Sequence, residues 1–294
     1  MKLIDLNFLG LPQTIGSYLI ESGNHKILIE TGPASVLPTF KQKLQTNNLS
    51  IEEITDVFLT HIHLDHSGGA WAFAREGAQI YVHPKGFRHL VNPEKLIASA
   101  SMIYGDQMER LWGEINGIDP NKVIGVENQE EIKLSELTFK AVHTPGHANH
   151  HIAWALNDLL FTGDVAGVKM VKSGPVIPPC PPPDLDILLW IKSIETIRIL
   201  NPKKLCLTHF GEITDWKNHL DELEERLLSW VQWLRPFAEN GEPIENVTPK
   251  FIEMVMESYR SKKLTDTEIG YYEKANPSFM SVTGIMRYLN RIMK

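Results

Sequence analysis

The sequence predicts an α/β fold that gives way to an all-helical C-terminal region. Three observations lead there. Short apolar, β-branched runs alternate with helical periodicities through the first half of the chain. Four of the expected strand ends carry ligand-type side chains, as a site at the edge of stacked sheets requires. From Trp216 onward no strand signal returns, which sets the expected division into a strand-bearing domain over 1–213 and a helical region over 214–294.

The elements follow in order. Residues 1–31 read as strands, with Ile15–Ile20 and Lys26–Ile29 joined through a turn at Ser22-Gly23-Asn24. Thr31-Gly32-Pro33 breaks the run, and Ala34–Leu44 places Val36, Leu37, Phe40 and Leu44 on one helical face. A strand at Val57–Thr60 precedes a helix after Gly69, and a further strand, Gln79–His83, stops at Pro84. Residues 85–122 are helical and rich in Met102, Ile103, Tyr104, Met108, Leu111 and Trp112, a stripe expected to serve as core or as a lid over a substrate. Strands resume at Val123–Val126, Glu131–Leu134, Thr138–His143, Ile152–Leu156 and Leu159–Thr162. A proline-rich loop, Ala166–Pro183, leads to a helix over Asp184–Leu200 with Leu185, Leu188, Leu189, Ile191 and Ile194 as its expected inner face. Beyond Trp216, Leu220, Leu223, Leu227, Trp230, Val231 and Leu234 recur at helical spacing, and helices are expected over Pro249–Arg260, Asp266–Lys274 and Pro277–Ile292.

The chemistry is densest at Thr60-His61-Ile62-His63-Leu64-Asp65-His66-Ser67-Gly68-Gly69, which follows the apolar run Val57-Phe58-Leu59. His61 and His63 are two residues apart, so on an extended segment both rings point to one side. Asp65 and His66 follow where the backbone must turn into a helix. Imidazole and carboxylate donors converging at such a turn make a metal site, with zinc the default occupant. Three more strand ends join it. Pro145 and Gly146 force a turn in His143-Thr144-Pro145-Gly146-His147, while Thr162-Gly163-Asp164 and Thr208-His209 end apolar runs on a carboxylate and a histidine.

Composition narrows the partners. A net charge of -7 across 294 residues shows no basic field for a polyanion, so nucleic acid is disfavoured. Cys180 and Cys206 are the only cysteines and lack zinc-knuckle spacing, which points to reduced thiols and a cytoplasmic setting. A charge at Asp5 interrupts the N-terminus before any apolar signal segment builds up, and no stretch is long and apolar enough for a membrane span.

Together, the Thr60–Gly69 run, Thr144-Pro145-Gly146-His147, Thr162-Gly163-Asp164 and His209 resemble the metallo-β-lactamase superfamily over roughly residues 14–212. The resemblance implies an αββα four-layer sandwich with the metals at one edge, followed here by the C-terminal helical extension. It assigns His61, His63 and His147 to one metal, Asp65, His66 and His209 to a second, and Asp164 to both. Two Zn2+ sharing a hydroxide are implied, with iron or manganese as other occupants. Such a pair generates a nucleophile from water near neutral pH and polarises the oxygen under attack. Asp65 is the implied catalytic residue, orienting the hydroxide and passing its proton to the leaving group. Glu30 departs from the pattern, because superfamily members commonly carry Asp there to brace the metal loop. His143, His150 and His151 fall outside the ligand set and are expected to support it, whereas His25, His83, His89 and His219 are expected to be ordinary.

The implied activity is metal-dependent hydrolysis of a small ester, thioester or lactone. Asp164 argues against a true β-lactamase, which generally lacks that residue. The strand-rich core with a helical tail is similar to hydroxyacylglutathione hydrolases, although Ala166–Pro183 lacks their basic, aromatic segment. Quorum-type lactonases commonly have a Tyr where Val165-Ala166-Gly167 stands. Phosphodiester cleavage of the ribonuclease Z kind and mononuclear iron persulfide dioxygenation are the alternatives. The expected partner is a small-molecule substrate. The C-terminal helices are expected to cover its pocket, to form a homodimer face, or both.

Overall fold

Alternating residues of the central strands serve two different layers. The structure, a computed structural model, describes residues 1–293. Its strands form two six-stranded sheets, ordered β1-β2-β3-β4-β5-β6 and β12-β11-β10-β9-β8-β7, and the chain divides into two compact units.

The first unit holds residues 1–143 and 150–163. β1 (Lys2–Asp5), β2 (Gly16–Ser22) and β3 (His25–Ile29) pair antiparallel, and β4 (Asp56–Phe58), β5 (Gln79–Val82) and β6 (Val123–Gly125) add in parallel beside β3. Parallel addition needs crossovers. They are α1 (Leu37–Gln45), then α2 (Leu64–Ser67) with α3 (Ala70–Arg75), then α4 (Pro84–Val91), α5 (Glu94–Tyr104) and α6 (Met108–Trp112). Pro84 ends β5 and takes the first position of α4, where its missing N–H leaves no bond unmade. β7 (Glu131–Leu134), β8 (Leu137–His143), β9 (Ile152–Leu156) and β10 (Leu159–Gly163) form an antiparallel meander.

Val57 and Leu59 pack outward with Phe40, Leu44, Phe73 and Leu90 of the helices. Phe58 points the other way and stacks on Tyr81 and Phe139, with centroids 4.5 and 4.3 Å away, while Trp154 meets it edge-on at 4.9 Å. Each such buried ring contributes about 2–3 kcal/mol. Trp154 Nε1–H also donates to the Leu59 carbonyl at 3.0 Å, which anchors the chain two residues before His61. In the 85–122 stripe, Trp112 is buried and Tyr104, Met108 and Leu111 pack on the core. Met102 departs from that expectation at 83% exposure, because it lies on the outer face of α5.

The second unit holds residues 144–149 and the chain from Asp164 onward. It contains α7 (Ile187–Leu200), the hairpin of β11 (Lys204–Leu207) and β12 (Gly211–Ile213), and then α8 (Trp216–Glu239), α9 (Ile244–Ser261), α10 (Asp266–Ala275) and α11 (Ser278–Ile292). The apolar positions expected to face inward along α8 are all buried. Two expectations are corrected. α9 begins at Ile244 and carries Pro249 in its second turn, where the lost helical hydrogen bond is offset by the burial of Val247, Phe251 and Val255. α7 buries Ile187, Trp190, Ser193, Ile194 and Ile197, leaving Leu188 64% and Leu189 38% exposed. Trp190 sets that rotation, since its Nε1–H donates to the Val165 carbonyl at 2.7 Å. Among the described residues no helix is long and apolar enough to cross a membrane.

Candidate metal centre

The first unit places His61, His63, Asp65 and His66 side by side at the end of β4. The His61 and His63 rings lie with centroids 4.5 Å apart, and His61 Nε2 is 2.9 Å from His63 Nδ1. His66 stacks obliquely on His61 at 4.0 Å, and its Nε2 lies 3.6 Å from Asp65 Oδ2. Thr60 Oγ1 sits 2.9 Å from His61 Nδ1, which directs Nε2 toward the neighbouring donors. The His150 and His151 rings flank His61, at centroid distances of 6.1 and 5.0 Å.

Glu30 braces this half from beneath. It is fully buried, its Oε1 accepts from the Thr60 N–H at 3.1 Å, and the same oxygen lies 3.5 Å from His66 Nδ1. The next residue, Thr31, donates both its N–H and its hydroxyl to the His66 carbonyl. The longer carboxylate therefore reaches the strand end and a ligand-type ring together. It does so from a left-handed backbone with φ 68°, a conformation that costs a non-glycine residue roughly 1–2 kcal/mol.

The second unit places His147, Asp164 and His209 around one carboxylate. His147 Nε2 is 3.3 Å from Asp164 Oδ2, and His209 Nε2 is 3.5 Å from Asp164 Oδ1, so each oxygen faces its own ring. His147 Nδ1–H donates to the Pro179 carbonyl at 2.8 Å, which leaves the lone pair on Nε2, opposite the carboxylate. Two lone pairs facing each other repel, and a cation between them removes the conflict. Donors on one tetrahedral zinc, bound at 2.0–2.1 Å, lie roughly 3.4 Å apart. Donor spacings here run from 2.9 to 3.6 Å, so the residues fit such an ion.

The proline-rich loop that supplies Pro179 is held by the C-terminal helices. Arg226 on α8 donates from Nε to the Val176 carbonyl at 2.6 Å, and Tyr272 on α10 donates its hydroxyl to the Pro175 carbonyl at 2.9 Å. Gly284 on α11 lies so close to the Cys180 carbonyl that a Cβ there would overlap it. His219, expected to be ordinary, donates its Nε2–H to the Ala166 carbonyl at 2.8 Å. Sequence reasoning missed these supports because their acceptors are backbone carbonyls, which no residue type encodes. Both thiols are inert in this setting: burial pushes Cys206 up to about 12 and Cys180 well above the ordinary thiol value.

Two buried histidines make stability pH-dependent. Burial pushes His219 down to about 4, and His83 is likewise lowered to about 4 by burial and by the His143 ring stacked at 4.2 Å. The unfolded chain takes up these protons near pH 6.5, whereas the folded chain does so only near 4. Stability held above pH 6.5 is therefore lost as the pH falls toward 4, by up to about 3 kcal/mol for His219 and by less for the less deeply enclosed His83. Urea midpoints measured at pH 7.5 and 4.5 should show this drop, and His219→Gln should make it smaller.

Comparison with known proteins agrees with this architecture. Residues 14–209 match the metallo-beta-lactamase superfamily. A metallo-beta-lactamase fold-containing protein of Sulfurisphaera tokodaii is 29% identical over 222 residues, covering 72% of this chain and 79% of that protein. The crystal structure of an archaeal superfamily protein from Sulfolobus tokodaii superposes with a TM-score of 0.59 at 29% identity, over 71% of this chain and 80% of that one. A metallo-beta-lactamase family protein of Thermus thermophilus shares the fold at a TM-score of 0.70 and 17% identity, over 95% of this chain and 89% of that one. An atrochrysone carboxyl ACP thioesterase of Aspergillus chevalieri is 34% identical over 158 residues, covering 52% of this chain and 40% of the thioesterase. With its two sheets, its outer helices and a matched span that contains both clusters of ligand-type histidines and aspartates, the chain belongs to the metallo-β-lactamase superfamily.

Proposed function

We propose that this protein is a binuclear metal-dependent hydrolase of acyl thioesters and related small esters. One cation is assigned to His61, His63, His147 and Asp164 and the other to Asp65, His66 and His209. Asp164 is assigned to both. The observation that carries this assignment is the splitting of its carboxylate, one oxygen toward His147 and the other toward His209. All-nitrogen-and-oxygen donors without thiolate suit zinc, and hydrolysis is supported by the thioesterase among the relatives.

When bound, such cations lower the pKa of water and polarise the acyl oxygen under attack. The chain's own residues do the rest. Glu30 and Thr31 hold His66 in place, and the Pro179 carbonyl holds the His147 proton on Nδ1. The Asp65 side chain is 22% exposed against fully buried His66, so its carboxylate remains accessible to take the proton from the attacking water and deliver it to the leaving group. A thioester leaving group is favoured by the similarity to the fungal thioesterases, of which this chain spans less than half.

The test is a substrate panel run on protein of measured metal content, offering acyl thioesters, p-nitrophenyl esters, lactones and a phosphodiester. Thioester cleavage is expected to lead, to vanish in chelator and to return with added zinc. A preference for the phosphodiester, or one iron per chain with no zinc, would replace this function with one of the alternatives.

A further inference from the structure

The structure points to a second copy of this chain as the partner of the outer face of α7. Four residues recur along it at spacings of four, three and four: Leu188, Lys192, Glu195 and Ile199. They occupy one solvent-facing stripe, with Leu188 64% and Ile199 76% exposed and the two charged residues also exposed. Large apolar side chains so open to water on a regular helix are an uncovered surface. Leu189 and Leu200 flank the stripe and are exposed as well.

The order of residues in the stripe selects the occupant. In an antiparallel pair of α7 helices related by a two-fold axis, residue i meets residue j and j meets i. With the axis between Ser193 and Ile194, Leu188 meets Ile199 of the second copy and Lys192 meets Glu195. Both pairs share that one centre, so a single register satisfies all four layers. A parallel pairing would instead set Lys192 on Lys192 and Glu195 on Glu195. The charges thus favour the antiparallel register and oppose the parallel one, while the leucine and isoleucine supply the apolar burial.

The groups that would take part are available. Glu195 reaches Arg198 at 3.6 Å, but Arg198 is committed to Asp221 and Glu224 at 2.7 Å each. Thr196 donates its hydroxyl to the Lys192 carbonyl at 2.9 Å, and the Lys192 side chain is exposed. Arg291 donates to the Leu185 carbonyl at 3.1 Å and to Asp186 Oδ2 at 3.2 Å, which ties the end of α11 to the start of α7. A seam of one helix pair is small against the roughly 800 Å² per partner of a standard interface, so a reversible dimer is expected rather than an obligate one.

Charge reversal tests the register. Sedimentation equilibrium should find wild-type protein in a concentration-dependent monomer–dimer equilibrium. Lys192→Glu and Glu195→Lys each place two like-charge contacts across the axis and should each weaken the dimer about tenfold or more. The double variant K192E/E195K restores both pairs with their signs exchanged and should return the dimer to near wild-type strength. Circular dichroism of the three variants serves as the folding control. Wild-type protein that stays monomeric up to its solubility limit would overturn the proposal. So would single reversals that leave a dimer intact, which would locate the interface elsewhere, or a double variant no stronger than the singles.

Discussion

His61→Ala and Asp164→Ala should each reduce thioester turnover by at least about a thousandfold. The metals are asked to supply several kcal/mol of charge stabilisation, and each 1.4 kcal/mol is a factor of ten in rate. The two losses should differ in kind. His61 serves one proposed ion, so its removal should lower bound zinc from two toward one, whereas Asp164 presents an oxygen to His147 and another to His209 and should lower both. Asp164→Asn sharpens the distinction, since it preserves shape but sets an amide N–H₂ against one of the two rings. Elemental analysis beside initial rates reads each effect, and full activity in either alanine variant would discard the hydrolytic mechanism.

Gly146→Ala should destabilise the protein by about 3 kcal/mol or more, a fall in melting temperature on the order of 10 °C. A Cβ at this position would overlap the backbone of Trp190, which no rotamer change can relieve, and the residue has φ 139°, where side chains are strained. The same turn is stitched to α7 by Asp186 N–H to the Gly146 carbonyl at 2.8 Å and by the Ser193 hydroxyl to the Pro145 carbonyl at 2.6 Å. Displacing it moves His147, the next residue, so zinc affinity should fall along with the melting temperature. Calorimetry with and without added zinc separates the two effects.

The clusters of ligand-type side chains were far more legible in the sequence than the helices around them. Three histidines and an aspartate within six positions can be brought together by one turn, and Gly163-Asp164 and His209 follow short apolar runs that read as buried strands. The rotation of α7 was not legible. Its sequence, ILLWIKSIETIRIL, has apolar residues on nearly every face, so periodicity alone cannot say which side is inward. Tertiary contacts at Trp190 decide it, and the expected inner residues Leu188 and Leu189 turn outward as a result. The same limit explains Pro249, whose helix-breaking signal is outweighed by the burial of Val247, Phe251 and Val255 on α9. Glu30 could be recognised as a departure, but not the left-handed backbone that lets the longer side chain reach both Thr60 and His66.

The clamp on the proline-rich loop bears on how this protein can change over evolution or by recombination. The oxygen that fixes which nitrogen of His147 keeps its proton belongs to Pro179, on a loop gripped by side chains of α8 and α10 and pressed by α11. A histidine near the middle of the chain thus inherits its tautomer from segments up to about 140 positions downstream. Those helices cannot be exchanged between relatives as an independent cassette. A graft that lacked the counterparts of Arg226, Tyr272 and Gly284 would fold its own residues and still leave the imidazole without direction.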